Sequence, residues 1–188
     1  MTFYCHSGGA VGADYAWDRL THHYGGTLRL MVHQWHKIYG GNGLPKGWKG
    51  ELYAYPDREL WKADDLMAQV SETIHRPYPP SSKYVHRLLQ RNWCIVRHVN
   101  QVVGVSKLNK KRTLVDGGTG WGIHAAILKG IPVYVFDQSL REWFTWSSDG
   151  FIGCEVPALE HLFAGIGTRD INRAGIEAIK VAFDLAQF

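Results

Sequence analysis

Cysteine is scarce in this chain, and its pattern excludes two classes of protein. Cys5, Cys94 and Cys154 are odd in number and widely spaced. They suit neither a disulfide framework nor a cysteine-built metal site, and free thiols in a reducing compartment are expected. The ten histidines show no paired ligand spacing of the HExxH kind, so no metal is expected. A signal peptide and an apolar run of membrane length are both missing, which predicts a cytoplasmic protein without a membrane partner. A dominant charge is missing too. The formal net charge of +4 over 188 residues fits an anionic ligand but does not separate a nucleotide from a nucleic acid.

What the chain has is apolar material for one good core and many glycines. With 45% hydrophobic and 20% charged residues, it is expected to fold as a single domain over residues 1–188. The glycines gather in three turns, each preceded by a strand pattern and followed by a helix pattern. In the first, a strand at residues 2–6 leads into Ser7, Gly8, Gly9 and Gly12, with Asp14 in the first helical turn. Asp14 suits a helix N-terminus, where a carboxylate favours the dipole, and equally a contact to a ribose hydroxyl or a role in holding the loop. In the second, residues 112–115 read as a strand delivering Gly117, Gly118, Thr119, Gly120 and Trp121. A helix carrying His124 follows, then a buried strand at residues 131–136. In the third, a strand from residue 162 runs into Gly165, Gly167, Thr168 and Arg169, and a long amphipathic helix runs to the last residue.

Between these units the spacing predicts a strand at residues 27–32 and an irregular insertion over 37–80, with helical character at 58–75. A helix over 82–99 carries Arg91 and Asn92, and a strand spans 101–106. Lys107, Lys110, Lys111 and Arg112 form a basic connection, suited to a solvated loop or to a polyanion. Residues 139–146, with Trp143, Phe144 and Trp146, read as a lid or packing patch. Alternating strands and amphipathic helices specify an α/β fold, Rossmann-like, with a mostly parallel sheet flanked by helices. In such a sheet the three glycine turns lie at strand carboxyl ends and should converge on one face. A helix N-terminus behind free backbone N–H groups is an anion site, so a phosphate-bearing ligand is expected there.

These motifs carry a resemblance. HSGGAVGAD at residues 6–14 resembles the SGGAxGAD loop of the SLOG superfamily, a Rossmann-like group. It includes DNA-processing protein A, the LOG cytokinin-activating phosphoribohydrolases and the molybdenum-cofactor-carrier-like proteins. Gln90-Arg91-Asn92 resembles the RN segment of the group, and residues 115–137 resemble its GGTG loop and GIPVYVFD strand. FAGIGTRDINRAGIEAI at residues 163–179 is similar to the strand and helix with which these proteins usually begin. Here that unit stands at residues 162–188, after the others. The resemblance therefore implies a circular permutant, and the two chain ends, Thr2 and Phe188, are expected to lie close together.

The resemblance also implies a function. In LOG enzymes the PGGxGTxxE motif supplies a glutamate for cleaving an N-glycosidic bond, and His124 stands at that position here. An imidazole does not supply the carboxylate that stabilises an oxocarbenium-like centre. Non-catalytic binding of a phosphorylated nucleotide or nucleotide-derived signal is therefore expected, with no catalytic residue, no metal and no further cofactor. Ligand contacts are expected from Ser7, Gly8, Gly9, Asp14, Arg91, Asn92, Gly117, Gly118, Thr119, Gly120, Trp121, His124, Gly165, Gly167, Thr168 and Arg169. Guanidinium forks suit phosphate, and Trp121 suits stacking on a base. Two alternatives stay open. One is a single-stranded-DNA binder using Arg91, Asn92 and the lysine run; the other is a nucleotide hydrolase using Asp14 or Asp116. A homo-oligomer is implied by the resemblance alone.

Overall fold

The computed structural model describes residues 2–186 and 188. Eight strands form one sheet: β1 (Tyr4–Ser7), β2 (Thr27–His33), β3 (Glu51–Tyr55), β4 (Gln101–Ser106), β5 (Val133–Asp137), β6 (Glu142–Trp146), β7 (Phe151–Cys154) and β8 (Leu162–Gly167). Their order is β3-β2-β1-β8-β4-β5-β6-β7. The first six are parallel, and β6 and β7 close one side as antiparallel strands. The fold is α/β, with a mostly parallel sheet flanked by helices, consistent with a Rossmann-like architecture. The last strand, β8, occupies the middle of the sheet between β1 and β4.

Strand alternation separates two cores. On β4, Val102 faces one layer while Val103 and Val105 face the other. The first layer is built by α3 (Asp64–Ile74), α4 (Lys83–Val96) and α5 (Thr119–Leu128). The second is built by α1 (Ala13–His23) and α6 (Arg173–Leu185). In it Trp17 is fully buried and donates its indole N–H to the Ile166 carbonyl at 3.3 Å. Gly165 is required at that spot, because a Cβ there would lie 2.5 Å from the Trp17 ring. The rings of Phe3 and Phe188 stack with centroids 3.7 Å apart, so the ends of the described chain meet. No helix among the described residues is long and apolar enough to cross a membrane.

Four segments differ, wholly or in part, from the sequence expectation. Residues 112–115 are not the strand that delivers the central turn; β4 does so, and only the single bridge Leu108 to Val115 marks that stretch. The Asn109 side chain accepts from the N–H groups of Thr113 (2.8 Å) and Leu114 (3.2 Å), which curls the segment into a turn. Within 37–80, β3 joins the sheet as its edge strand beside β2, followed by the short α2 (Asp57–Leu60) and α3. Of residues 139–146, Glu142–Trp146 form β6, and Trp143 and Phe144 are buried, which matches the packing patch and not the lid. The final helix stops at Leu185.

Three buried histidines make the fold sensitive to acid, and His33 at the end of β2 is held down to about 4, chiefly by burial. His6 on β1 and His124 on α5 are each held down to about 4 by burial, His6 against the opposing bond to the Ile95 carbonyl. With a folded pKa below the unfolded value near 6.5, each imidazole binds its proton more tightly in the unfolded chain. Stability is therefore complete above about pH 6.5 and declines as pH falls towards 4, by roughly 3 kcal/mol for each histidine. Urea unfolding between pH 7 and 4 should show this decline. A flat profile would show that these rings are charged or hydrated in the native state.

Candidate functional site

The carboxyl ends of β1, β8, β4 and β5 open into one cavity of about 570 Å³, within the range of small-molecule sites. It sits where the strand order departs in opposite directions from the sheet centre, towards β1 on one side and β4 on the other. The three glycine turns meet there. Ala10 and Asp14 come from the first, Gly117, Gly118 and Thr119 from the second, and Gly167, Thr168 and Arg169 from the third. Gln138, at the end of β5, ties the third turn in place. It donates to the Asp170 carbonyl at 2.9 Å and accepts from the Asn172 N–H at 2.9 Å.

Helix ends supply donors. Both α4 and α6 have side-chain N-caps, Ser82 and Asn172. By contrast α1 and α5 begin at Gly12 and Gly118 with no side-chain cap. Among the described residues, the N–H groups of Gly117, Gly118 and Thr119 donate to no partner. These orphan donors line the cavity at a helix N-terminus, where the dipole favours an anion. Arg76 fixes the turn from behind by donating to the Gly117 carbonyl at 2.6 Å.

Arg91 adds a full charge. It lies on α4 and is only 5% exposed, yet among the described residues it forms no hydrogen bond and no ion pair within 4 Å, and its Nε is buried without a partner. Gly8 makes room for it, since a Cβ at that position would stand 1.6 Å from Nη1. Asp14, equally buried, accepts from the Ala10 N–H at 3.1 Å. Burial pushes the Asp14 carboxyl up, opposed by the Arg91 charge and by backbone donors. Burial also draws the Arg91 guanidinium down, against the pull of Asp14, but a guanidinium keeps its proton in proteins. A Cβ built on Gly8 would also lie 2.8 Å from Asp14 Oδ2, so the Asp14 carboxylate stands beside the guanidinium just beyond ion-pair distance, and the cavity wall carries the two charges side by side.

The expected residues fall into three groups. Asp14, Arg91, Asn92, Gly117, Gly118, Thr119, Gly167, Thr168 and Arg169 line the cavity. Ser7, Gly8, Gly9, Gly120 and Gly165 do not line it; Gly8 backs Arg91 and Asp14, and the others pack into the protein. The Ser7 hydroxyl donates to the Gly165 carbonyl at 2.7 Å and does not face the cavity, and Gly9 takes φ 69° and accepts from the Tyr39 N–H. Gly120 packs so close to Val115 that a Cβ would lie 2.3 Å from its carbonyl oxygen. Trp121 and His124 point elsewhere. Trp121 is 5% exposed and packs near Tyr78 in the core; His124 lies near the rings of Trp146 and Phe151 with neither nitrogen bonded.

Sequence reasoning missed the opposite wall. Val85, Leu88, Leu89 and Val96 on α4, with Ile166 on β8, give the cavity an apolar side. Their helical spacing reads as core, because the same face of α4 both packs on the sheet and borders the cavity. Ser106 and Gln138 were findable from their positions at strand ends. Among the described residues no cluster of histidine, cysteine and carboxylates suited to a metal occurs. No protein-family model, curated protein or solved structure matches this chain.

Two substitutions separate cavity from core. Gly8→Ala should push Arg91 off its seat and weaken pyrophosphate binding at least ~10-fold, with a stability loss of about 1–3 kcal/mol. His124→Leu should leave that binding unchanged and should not lower the melting temperature, since it removes two buried unpaired nitrogens. Calorimetric titration and thermal unfolding of both variants read the two effects separately. Loss of binding in His124→Leu would put the imidazole back in the site.

Proposed function

We propose that this protein binds a phosphorylated nucleotide or nucleotide-derived signalling molecule without turning it over, in a sensing or sequestering role. The observation that carries this reading is the buried Arg91, with no hydrogen bond to the protein, lining one cavity with the uncapped N-terminus of α5. A phosphate between them would accept charge-assisted bonds from the guanidinium and backbone bonds from the glycine turn. The apolar wall of α4 would cover the rest of the ligand. Binding without cleavage is supported by His124, which stands where the LOG motif has its glutamate and is buried away from the cavity. Asp14, the carboxylate nearest Arg91, already holds the first turn through the Ala10 N–H.

Membership of the SLOG superfamily, in permuted form, is part of the same proposal. It is supported by the place of β8 between β1 and β4 and by the stacking of Phe3 on Phe188. A single-stranded-DNA channel is less well supported. Of the basic run, Lys107 alone borders the cavity, and Arg112 lies over the Phe144 ring, 4.9 Å from its centroid.

Native mass spectrometry of the purified protein, followed by denaturing extraction, tests the proposal. A nucleotide released intact from the wild type and absent from Gly118→Asp is the expected result. That position has φ −66° and open space for a side chain, so the variant should fold while placing a carboxylate against the phosphate. Recovery of free base and sugar phosphate would make the protein a hydrolase. An empty protein that shifts single-stranded DNA at physiological salt would favour the channel. The same spectrum gives the oligomeric state, for which a homo-oligomer is proposed.

A further inference from the structure

We infer that Asp14 is a ligand-binding carboxylate that accepts from the sugar hydroxyls of the bound nucleotide, so that the site takes ribonucleotides and rejects their dideoxy analogues. This rests on the nucleotide reading above and adds the sugar to the specificity of the site. Asp14 lines the cavity and is only 5% exposed. Its Oδ2 accepts from the Ala10 N–H at 3.1 Å, which ties the side chain to the first turn. Its Oδ1 accepts no close hydrogen bond among the described residues and is not sealed off by the protein, so it opens onto the cavity. Holding the turn uses one oxygen and leaves the other for a ligand.

A phosphate alone does not explain a carboxylate in this wall. Asp14 stands just beyond ion-pair distance from Arg91, so an anion seated on that guanidinium also meets the negative charge of Asp14. A desolvated charged acceptor is satisfied only by ligand donors, and it penalises a ligand that brings none. Ribose hydroxyls are such donors, and each also has lone pairs for the neighbouring Arg91 N–H groups. Carboxylate and guanidinium together therefore match both sides of a hydroxyl. The neutral groups of the cavity are less exacting. Asn92 keeps one N–H and its oxygen after donating to the Gly118 carbonyl, and the Thr119 and Thr168 hydroxyls can donate as well as accept. These suit phosphate, sugar or base alike. Asp116 and Asp170 also line the cavity, but both are exposed, and a hydrated carboxylate discriminates weakly.

Calorimetric titration of the full chain compares AMP, GMP, CMP and UMP with their 2′,3′-dideoxy counterparts, in the wild type and in Asp14→Asn. The variant keeps an oxygen for the Ala10 N–H and removes the charge. For every base that binds the wild type, the dideoxy compound should bind at least ~10-fold more weakly, the scale of a hydrogen bond to a charged group. In Asp14→Asn that ratio should fall to about threefold or less, the scale of a neutral hydrogen bond. Inorganic pyrophosphate, which brings no sugar hydroxyl, should bind the variant as well as the wild type or better. A carboxylate with a structural role alone would weaken all ligands together. Equal binding of parent and dideoxy nucleotides to the wild type, or an undiminished ratio in the variant, would overturn the inference while leaving nucleotide binding intact. Failure of the nucleotides and pyrophosphate alike to bind the wild type would overturn the nucleotide reading beneath it as well.

Discussion

A guanidinium buried without a hydrogen bond is expensive, and the arrangement of this protein around Arg91 depends on that cost. Desolvating such a charge takes several kcal/mol even after the surroundings relax. Nothing among the described residues returns that energy through a direct hydrogen bond or ion pair. Asp14 supplies attraction from just beyond ion-pair distance and is itself tied to the backbone of the first turn. The residues around Arg91 make sense as a seat that keeps it in place: Gly8 leaves room beneath it, and α4 carries it on the face that borders the cavity. Strain of this kind belongs to sites prepared for a ligand, where an arriving charge replaces the missing water.

The sheet order explains why three distant turns can share that charge. Because β8 lies between β1 and β4, the first and last glycine turns become neighbours, and the Ser7 hydroxyl reaches the Gly165 carbonyl across 158 positions of sequence. The Ala13 N–H donates to the Thr168 carbonyl at 2.9 Å and joins the two turns directly. Gly12 permits that approach, since it takes φ 86° and a Cβ would lie 2.3 Å from the Arg169 carbonyl oxygen. The site is therefore complete only once the final strand has entered the sheet. Its assembly depends on contacts of high sequence separation, which form late and slowly.

Much of this was legible in the residues, for reasons that can be named. Glycine turns between strand and helix patterns are strong local signals, and strand carboxyl ends in a parallel sheet face one way, so convergence followed from topology. The α/β class followed too, whereas the place of Arg91 beside the turns was implied by the resemblance of Gln90-Arg91-Asn92 to the RN segment. What was not legible is which way a side chain points on a helix buried all round. In α5 the cavity-facing Thr119 and Gly122 and the core-facing Trp121 and His124 are all buried, so hydrophobic periodicity gives no direction. Trp121 and His124 were accordingly expected in the site and lie in the core. β3 was hidden because an edge strand such as Glu51–Tyr55 needs only one partner and keeps a mixed pattern. Residues 112–115 look like a strand until the Asn109 side chain is seen capturing their N–H groups.

The claim that the Arg91 Nε–H has no hydrogen-bond partner in the free protein can be observed at the atom itself. Nitrogen-15 NMR of the arginine side chains, with Arg91 assigned by its loss in Arg91→Lys, follows the Nε–H before and after addition of inorganic pyrophosphate. The account predicts a resonance that shifts and exchanges its proton more slowly once the anion is bound, as a new hydrogen bond forms. A resonance that pyrophosphate leaves unmoved, or that already shows the slow exchange of a paired guanidinium in the free protein, would contradict it.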